Sequence, residues 1–134
     1  MNHVIVIDDD PSVRKGLVRL LNKADFKVDQ YTSLDDFMDT IKPGLSGCII
    51  LDSRMLEQAE NNLRTEFKKY GVDLPFIIIS GDDDSKSRQR AHKMNALGFF
   101  RKPIDGVALI DAIDWAIQTG KQKNKLLPNQ KLYL

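Results

Sequence analysis

The chain has 134 residues, enough for one domain with a sizeable core and too few for a second of ordinary size. Hydrophobic residues make up 42% of it, which excludes a disordered chain, and 20 basic against 19 acidic side chains leave a formal net charge of +1. No global field therefore points to nucleic acid, and what matters is where the charges fall.

Residues 4–7, Val-Ile-Val-Ile, are short, β-branched and apolar throughout, as expected of a strand covered on both faces. Asp10 and Pro11 start a helix, Asp10 as N-cap and Pro11 in the first turn, and Val13, Leu17, Leu20, Leu21 and Ala24 follow at helical spacing. Residues 26–31 read as a weaker, partly polar strand near a sheet edge. A helix beginning at Ser33 carries Leu34, Phe37, Met38 and Ile41, and Pro43-Gly44 breaks it. Residues 47–51 form a third strand. Roughly 57–70 form a third helix ended by Gly71. Residues 75–79 are a fourth strand, about 85–95 a polar fourth helix, 97–101 a fifth strand, and about 105–119 a fifth helix stopped by Gly120.

Strands alternating with helices predict right-handed crossovers and a parallel sheet between two helical layers. Five such units fit an α/β, flavodoxin-like, doubly wound fold in three layers, with strand order 2-1-3-4-5 and five helices. The single cysteine, Cys48, lies inside the third apolar run and reads as a small buried residue. No run approaches the ~20 apolar residues that span a bilayer, and the first apolar run is too short for a signal peptide, so a cytoplasmic protein is expected. Residues 1–120 are expected to form the domain. Residues 121–134, where the periodicity lapses, form a tail or the remnant of a linker.

In a doubly wound sheet, ligands gather at the carboxyl ends of the strands. Asp8, Asp9 and Asp10 follow the first strand, Asp52 the third, Ser80 the fourth, and Lys102-Pro103 the fifth. Carboxylates brought this close repel unless a cation stands between them. Lys102 is one candidate and a hard divalent cation such as Mg²⁺ another, while no thiol or imidazole is placed to favour zinc. A carboxylate can itself be the nucleophile in phosphoryl transfer, and Asp52 between a metal, Lys102 and Ser80 has one partner for each phosphoryl oxygen.

The motifs Val-Ile-Asp-Asp-Asp-Pro-Ser (6–12), Leu-Asp-Ser-Arg-Met (51–55), Ile-Ser-Gly (79–81) and Phe-Phe-Arg-Lys-Pro (99–103) are similar to those of the response-regulator receiver domain of two-component signal transduction. The resemblance covers residues 3–119, and it is strongest to the branch whose members often carry a C-terminal DNA-binding helix-turn-helix. It implies that Asp52 accepts a phosphoryl group from a sensor histidine kinase or phosphotransfer protein. Asp9 and Asp52 would ligate Mg²⁺ directly, Asp8 mainly through water, and the backbone carbonyl of Arg54 would complete the set. Ser80 would swing in to the phosphoryl group, Lys102 would pair with it, and Phe99 would turn inward as the switch. The peptide bond before Pro103 would be cis. Such a domain modifies and slowly restores itself and is not a turnover enzyme. A homodimer through the fourth helix, fifth strand and fifth helix would be its changed surface, with no nucleic acid or membrane bound by this segment.

The family usually has proline after the methionine matching Met55 and glycine four residues further on. Here Leu56 and Glu60 stand, so the loop path differs. Arg54 and Asp82 occupy the positions that tune dephosphorylation, and a pairing of the two across the mouth of the site is expected, below the acidic run Asp82-Asp83-Asp84. Two rival readings exist. A pseudo-receiver would be an interaction module that is never phosphorylated. A haloacid-dehalogenase-type phosphohydrolase would use Asp8-x-Asp10 as its nucleophile motif, but the chain lacks that class's acid pair after the lysine. His3 and His92 read as surface residues, and Arg88, Arg90, His92 and Lys93 as a solvated helix face.

Overall fold

Five short strands pair in parallel to make one sheet: β1 (His3–Ile7), β2 (Lys27–Tyr31), β3 (Cys48–Asp52), β4 (Phe76–Ser80) and β5 (Gly98–Arg101). Their order across the sheet is β2-β1-β3-β4-β5, as the alternation predicts. This is a computed structural model, and it describes residues 3–41, 45–58, 63–81 and 85–122. Among the described residues the helical segments are α1 (Pro11–Lys23), α2 (Leu34–Thr40), α3 (Ser53–Gln58), α4 (Leu63–Lys69), α5 (Ser85–Lys93) and α6 (Gly106–Gln122).

The alternation of side chains along each strand sorts the core into two layers. Ile5, Ile7, Ile49, Leu51, Phe76 and Ile78 face α2 to α5 and pack with Phe37, Met55, Leu56, Phe67, Ala91 and Met94. Their neighbours Val4, Val6, Cys48, Ile50, Ile77 and Ile79 face α1 and α6 and pack with Leu17, Leu21, Leu109, Ile113 and Ile117. Both faces of β3 and β4 are therefore covered, and every residue of these strands is buried. Burial also pushes the Cys48 thiol up to about 12, which keeps it protonated and inert. An aromatic run braces the first layer: Tyr31–Phe37, Phe37–Phe67 and Phe67–Phe76 have centroids 5.2, 5.3 and 5.3 Å apart.

Local chemistry sets the boundaries. Asp10 caps α1, its Oδ1 accepting from the backbone N–H of Ser12 at 2.9 Å, with Pro11 at the first turn. Ser33 caps α2 by accepting from Asp36 N–H. Gly47 precedes β3 at φ +114°, where a Cβ would lie 1.9 Å from the His3 carbonyl oxygen, so only glycine lets β3 come up against β1.

Three expectations are corrected. The helix expected from about 57 begins earlier, directly after β3: α3 covers Ser53–Gln58 and α4 Leu63–Lys69, with 59–62 outside the described residues. Leu56 leaves Met55 free to be helical, where a proline would have disfavoured it, and Leu56 is buried in the core. The last helix runs through Gly120 to Gln122 rather than stopping there, because an interior glycine costs a helix only about 1 kcal/mol. His3 is half-buried, with Nδ1 3.4 Å from Asp29 Oδ2, rather than a plain surface residue. Pro43-Gly44 and the tail beyond 122 lie outside the described residues.

Candidate functional site

The order of the strands reverses between β1 and β3, and the carboxyl edge there forms the crevice of a doubly wound sheet. Ile7 pairs with Leu51, so Asp8 stands level with Asp52, the last residue of β3. Ser80 ends β4, and its carbonyl accepts from Lys102 N–H at 2.8 Å, which carries the ladder one residue past β5 and fixes the lysine at the same edge. Asp8 is held from three sides: its N–H donates to Tyr31 O, its carbonyl accepts from the Arg14 guanidinium, and its Oδ1 accepts from Asp10 N–H.

Asp8 and Asp52 are 0% and 1% exposed, while the Asp9 side chain is 49% exposed. Lys102 Nζ lies 2.6 Å from Asp52 Oδ2 and 3.3 Å from Asp8 Oδ2. The other oxygens of these carboxylates face a second cation. Arg54 Nε is 3.1 Å from Asp52 Oδ1, and a terminal guanidinium nitrogen is 2.6 Å from Asp9 Oδ1 and 3.7 Å from Asp8 Oδ1. The backbone N–H of Arg54 donates to Asp52 Oδ1 as well, at 2.8 Å, because α3 starts at once after β3.

These contacts split the two buried acids. Burial pushes the Asp8 carboxyl above its ordinary value, and the nearby Asp52 charge adds to this. Burial acts on Asp52 in the same sense, but hydrogen bonds from Lys102 and Arg54 outweigh it and hold that carboxyl below the usual range. Lys102 is raised in turn: its desolvation is outweighed by the hydrogen bond and charge of Asp52.

Of the residues singled out from sequence, Asp8, Asp9, Asp52 and Lys102 meet here. Ser80 is at the same edge and fully buried, with its Oγ 2.8 Å from the hydroxyl of Ser53. Phe99 is half-buried against the first core layer, with the Arg88 guanidinium 4.8 Å from its ring centroid. The Lys102-Pro103 peptide is cis, as the resemblance implies. Asp10 is spent as the α1 cap and does not face the site, which removes the Asp8-x-Asp10 nucleophile of the phosphohydrolase reading. Asp82 to Asp84 and Glu60 lie outside the described residues, so the expected Arg54–Asp82 pairing does too; among the described residues the Arg54 side chain engages Asp9 and Asp52.

Sequence reasoning missed two features. Ser53 carried a weak signal, a small polar residue directly after a strand-end acid. The Arg54 side chain was expected at the mouth of the site, but its contacts with Asp9 and Asp52 carried no signal. Among the described residues no three His, Cys, Asp or Glu side chains are gathered as metal ligands, and Arg54 and Lys102 lie against the acids. The donors themselves are all oxygen, which suits a hard cation of the Mg²⁺ class.

A five-stranded parallel sheet in this order, with buried acids and a lysine at its carboxyl edge, is the architecture of receiver domains. A family profile described as "Response regulator receiver domain" matches residues 4–114. The chain belongs to that family. Among its relatives it is 30% identical over 125 residues to the response regulator protein TodT of Pseudomonas putida, covering 93% of this chain and 55% of the relative. It is 36% identical over 110 residues to the transcriptional regulatory protein FixJ of Azorhizobium caulinodans, covering 82% and 52%. The chain thus spans about half the length of the curated relatives it matches. Among solved structures, the response regulator StyR matches with a TM-score of 0.79 at 32% identity, covering 92% of this chain and 63% of that one. Full-length FixJ from B. japonicum matches with a TM-score of 0.79 at 31% identity, covering 92% and 61%. No helix among the described residues is long and apolar enough to cross a membrane.

Proposed function

We propose that the chain is a phosphorylation-controlled switch in which Asp52 accepts a phosphoryl group from the phosphohistidine of a sensor histidine kinase or phosphotransfer protein. A carboxylate oxygen of Asp52 forms the new P–O bond as the P–N bond breaks; the imidazole keeps the electron pair and takes up a proton, and Asp52 becomes an acyl phosphate. Lys102, already 2.6 Å from Asp52, pairs with the incoming phosphoryl oxygens. Mg²⁺, bound by Asp9 and Asp52, by Asp8 through water, and by the Arg54 carbonyl, would supply the remaining positive charge.

Ser80 leaves Ser53 to donate to the phosphoryl group, Phe99 turns inward, and the surface of α5, β5 and α6 changes for an output partner or a second copy. Residues 1–120 form the switch and 121–134 the tail or linker. The relatives named as transcriptional regulators, of which the match to this chain covers 52%, are the reason to place a transcriptional output downstream.

The observation that carries the reading is the Asp52 carboxylate, buried at the end of β3 and gripped by Lys102. Incubation with Mg²⁺ and acetyl phosphate should add one phosphoryl mass to the wild type and none to Asp52→Asn. A gain that survives in the variant overturns the assignment of Asp52. A second reading, a receiver fold that only binds partners, is favoured by the Arg54 guanidinium standing among the acids, and absence of any gain in the wild type would select it.

A further inference from the structure

We propose that Arg54 is a built-in competitor for the divalent cation: its guanidinium fills the acidic pocket as an internal counter-charge and must swing out before a metal can enter. The inference rests on the reading of the site given above and adds to it a threshold, the divalent-cation concentration at which the domain becomes phosphorylatable.

The geometry divides each buried carboxylate between two cations. The Oδ2 atoms of Asp52 and Asp8 face Lys102, at 2.6 and 3.3 Å. The Oδ1 atoms of Asp52, Asp9 and Asp8 all face Arg54, at 3.1, 2.6 and 3.7 Å. Three carboxylate oxygens lie against one positive group, the guanidinium, and Mg²⁺ would need such oxygens drawn in to about 2.0–2.1 Å. The guanidinium and the metal would therefore claim the same oxygen faces, and they exclude each other.

The side chain is also built to leave. Arg54 is 49% exposed, so its head can turn to water. Its backbone is pinned separately, with the N–H on Asp52 Oδ1, so the side chain can swing while α3 stays in place. Lys102, by contrast, is 19% exposed and bonds the opposite oxygens, so it stays when Arg54 goes. Leu56 is linked to this: α3 can start directly after β3 because no proline interrupts it, and that start sets residue 54 against the acids.

The test is isothermal titration of MgCl₂ into the 134-residue chain and its Arg54 variants, without any phosphodonor. Arg54→Ala keeps the backbone carbonyl and should tighten Mg²⁺ binding on the order of 5-fold, as loss of a partly exposed competing ion pair allows. Arg54→Lys, which keeps the charge but not the planar fork, should fall between the two. Without Mg²⁺ the alanine variant should melt below the wild type, and saturating Mg²⁺ should close that gap. Equal or weaker Mg²⁺ affinity in Arg54→Ala overturns the proposal while leaving Asp52 as phosphoacceptor. No Mg²⁺ binding in either protein overturns the metal site and the proposal together.

Discussion

Lys102→Met keeps the length of the side chain and deletes the ammonium that bonds Asp52 and Asp8. Neither carboxylate can turn to water, since they are 1% and 0% exposed. Removing one partner of a buried pair costs about 3–5 kcal/mol. Two features pull the figure down here. Lys102 is itself partly exposed, and Arg54 remains on the far oxygen of Asp52. The cost is also bounded chemically, because an orphaned carboxyl can take up a proton. Lifting it from pH ~4 to pH 7 costs about 4 kcal/mol at ~1.4 kcal/mol per unit, so the orphan's own penalty at pH 7 cannot exceed that. A loss of about 2–3 kcal/mol at pH 7 follows, a fall in Tm of roughly 6–15 °C for a domain of this size. At pH 5 the same bound is only about 1.4 kcal/mol, so the deficit must shrink. Urea denaturation followed by circular dichroism at both pH values, without divalent cations, reads it directly. Adding Asp52→Asn should recover much of the loss, since the orphan charge is gone. A deficit that does not change with pH, or two losses that simply add, would refute the argument.

Asp8 gives the opposite pH signature. Its folded value is raised by burial, so the stability due to its protonated form is whole below the ordinary 3.8 and is lost as pH rises through the raised value. Asp8→Asn keeps an acceptor for Asp10 N–H and should therefore gain on the wild type between pH 4 and pH 7 in urea melts; an unchanged gap sinks the reasoning. Ser53→Ala removes the hydroxyl 2.8 Å from Ser80 Oγ, at a cost of about 1 kcal/mol to the resting form alone. If Ser80 moves on activation, the apparent affinity for beryllofluoride should rise up to about 5-fold, and a fall would show that Ser53 does not hold Ser80 back.

The sheet was legible because β1, β3 and β4 are covered on both faces and so read as unbroken apolar runs. β2, at the edge, is mostly polar and reads more weakly, with Val28 and Phe26 packed into the second layer and Tyr31 into the first. The site was legible for a related reason. An acid at the end of a buried strand has nowhere to go but the carboxyl edge, so Asp8, Asp52 and Lys102 could be brought together from position alone. What sequence could not give was side-chain direction on a short helix. Arg54 reaches the acids because α3 begins at Ser53, and that start depends on Leu56, whose effect on the path was foreseen but not its direction. The hydroxyl pair Ser53–Ser80 is a contact across 27 residues with no periodic signal to announce it.

Charge balance ties these pieces into one constraint. With the three acids ionised, Lys102 and Arg54 leave the pocket one net negative charge. Acyl-phosphate formation cancels the charge of Asp52 itself but brings about two negative charges with the phosphoryl group. With both basic groups in place the pocket would then hold about two net negative charges, in surroundings where Asp8 is already hard to ionise. Exchanging the single charge of Arg54 for a divalent cation restores the original balance. An exchangeable arginine and a fixed lysine are thus different parts: Lys102 neutralises the acids in either state, and Arg54 covers them only until a stronger cation and a phosphoryl group arrive together. A receiver with a neutral residue at position 54 should then tolerate the phosphoryl group at lower divalent-cation concentration, while one without Lys102 should be unable to hold it at any.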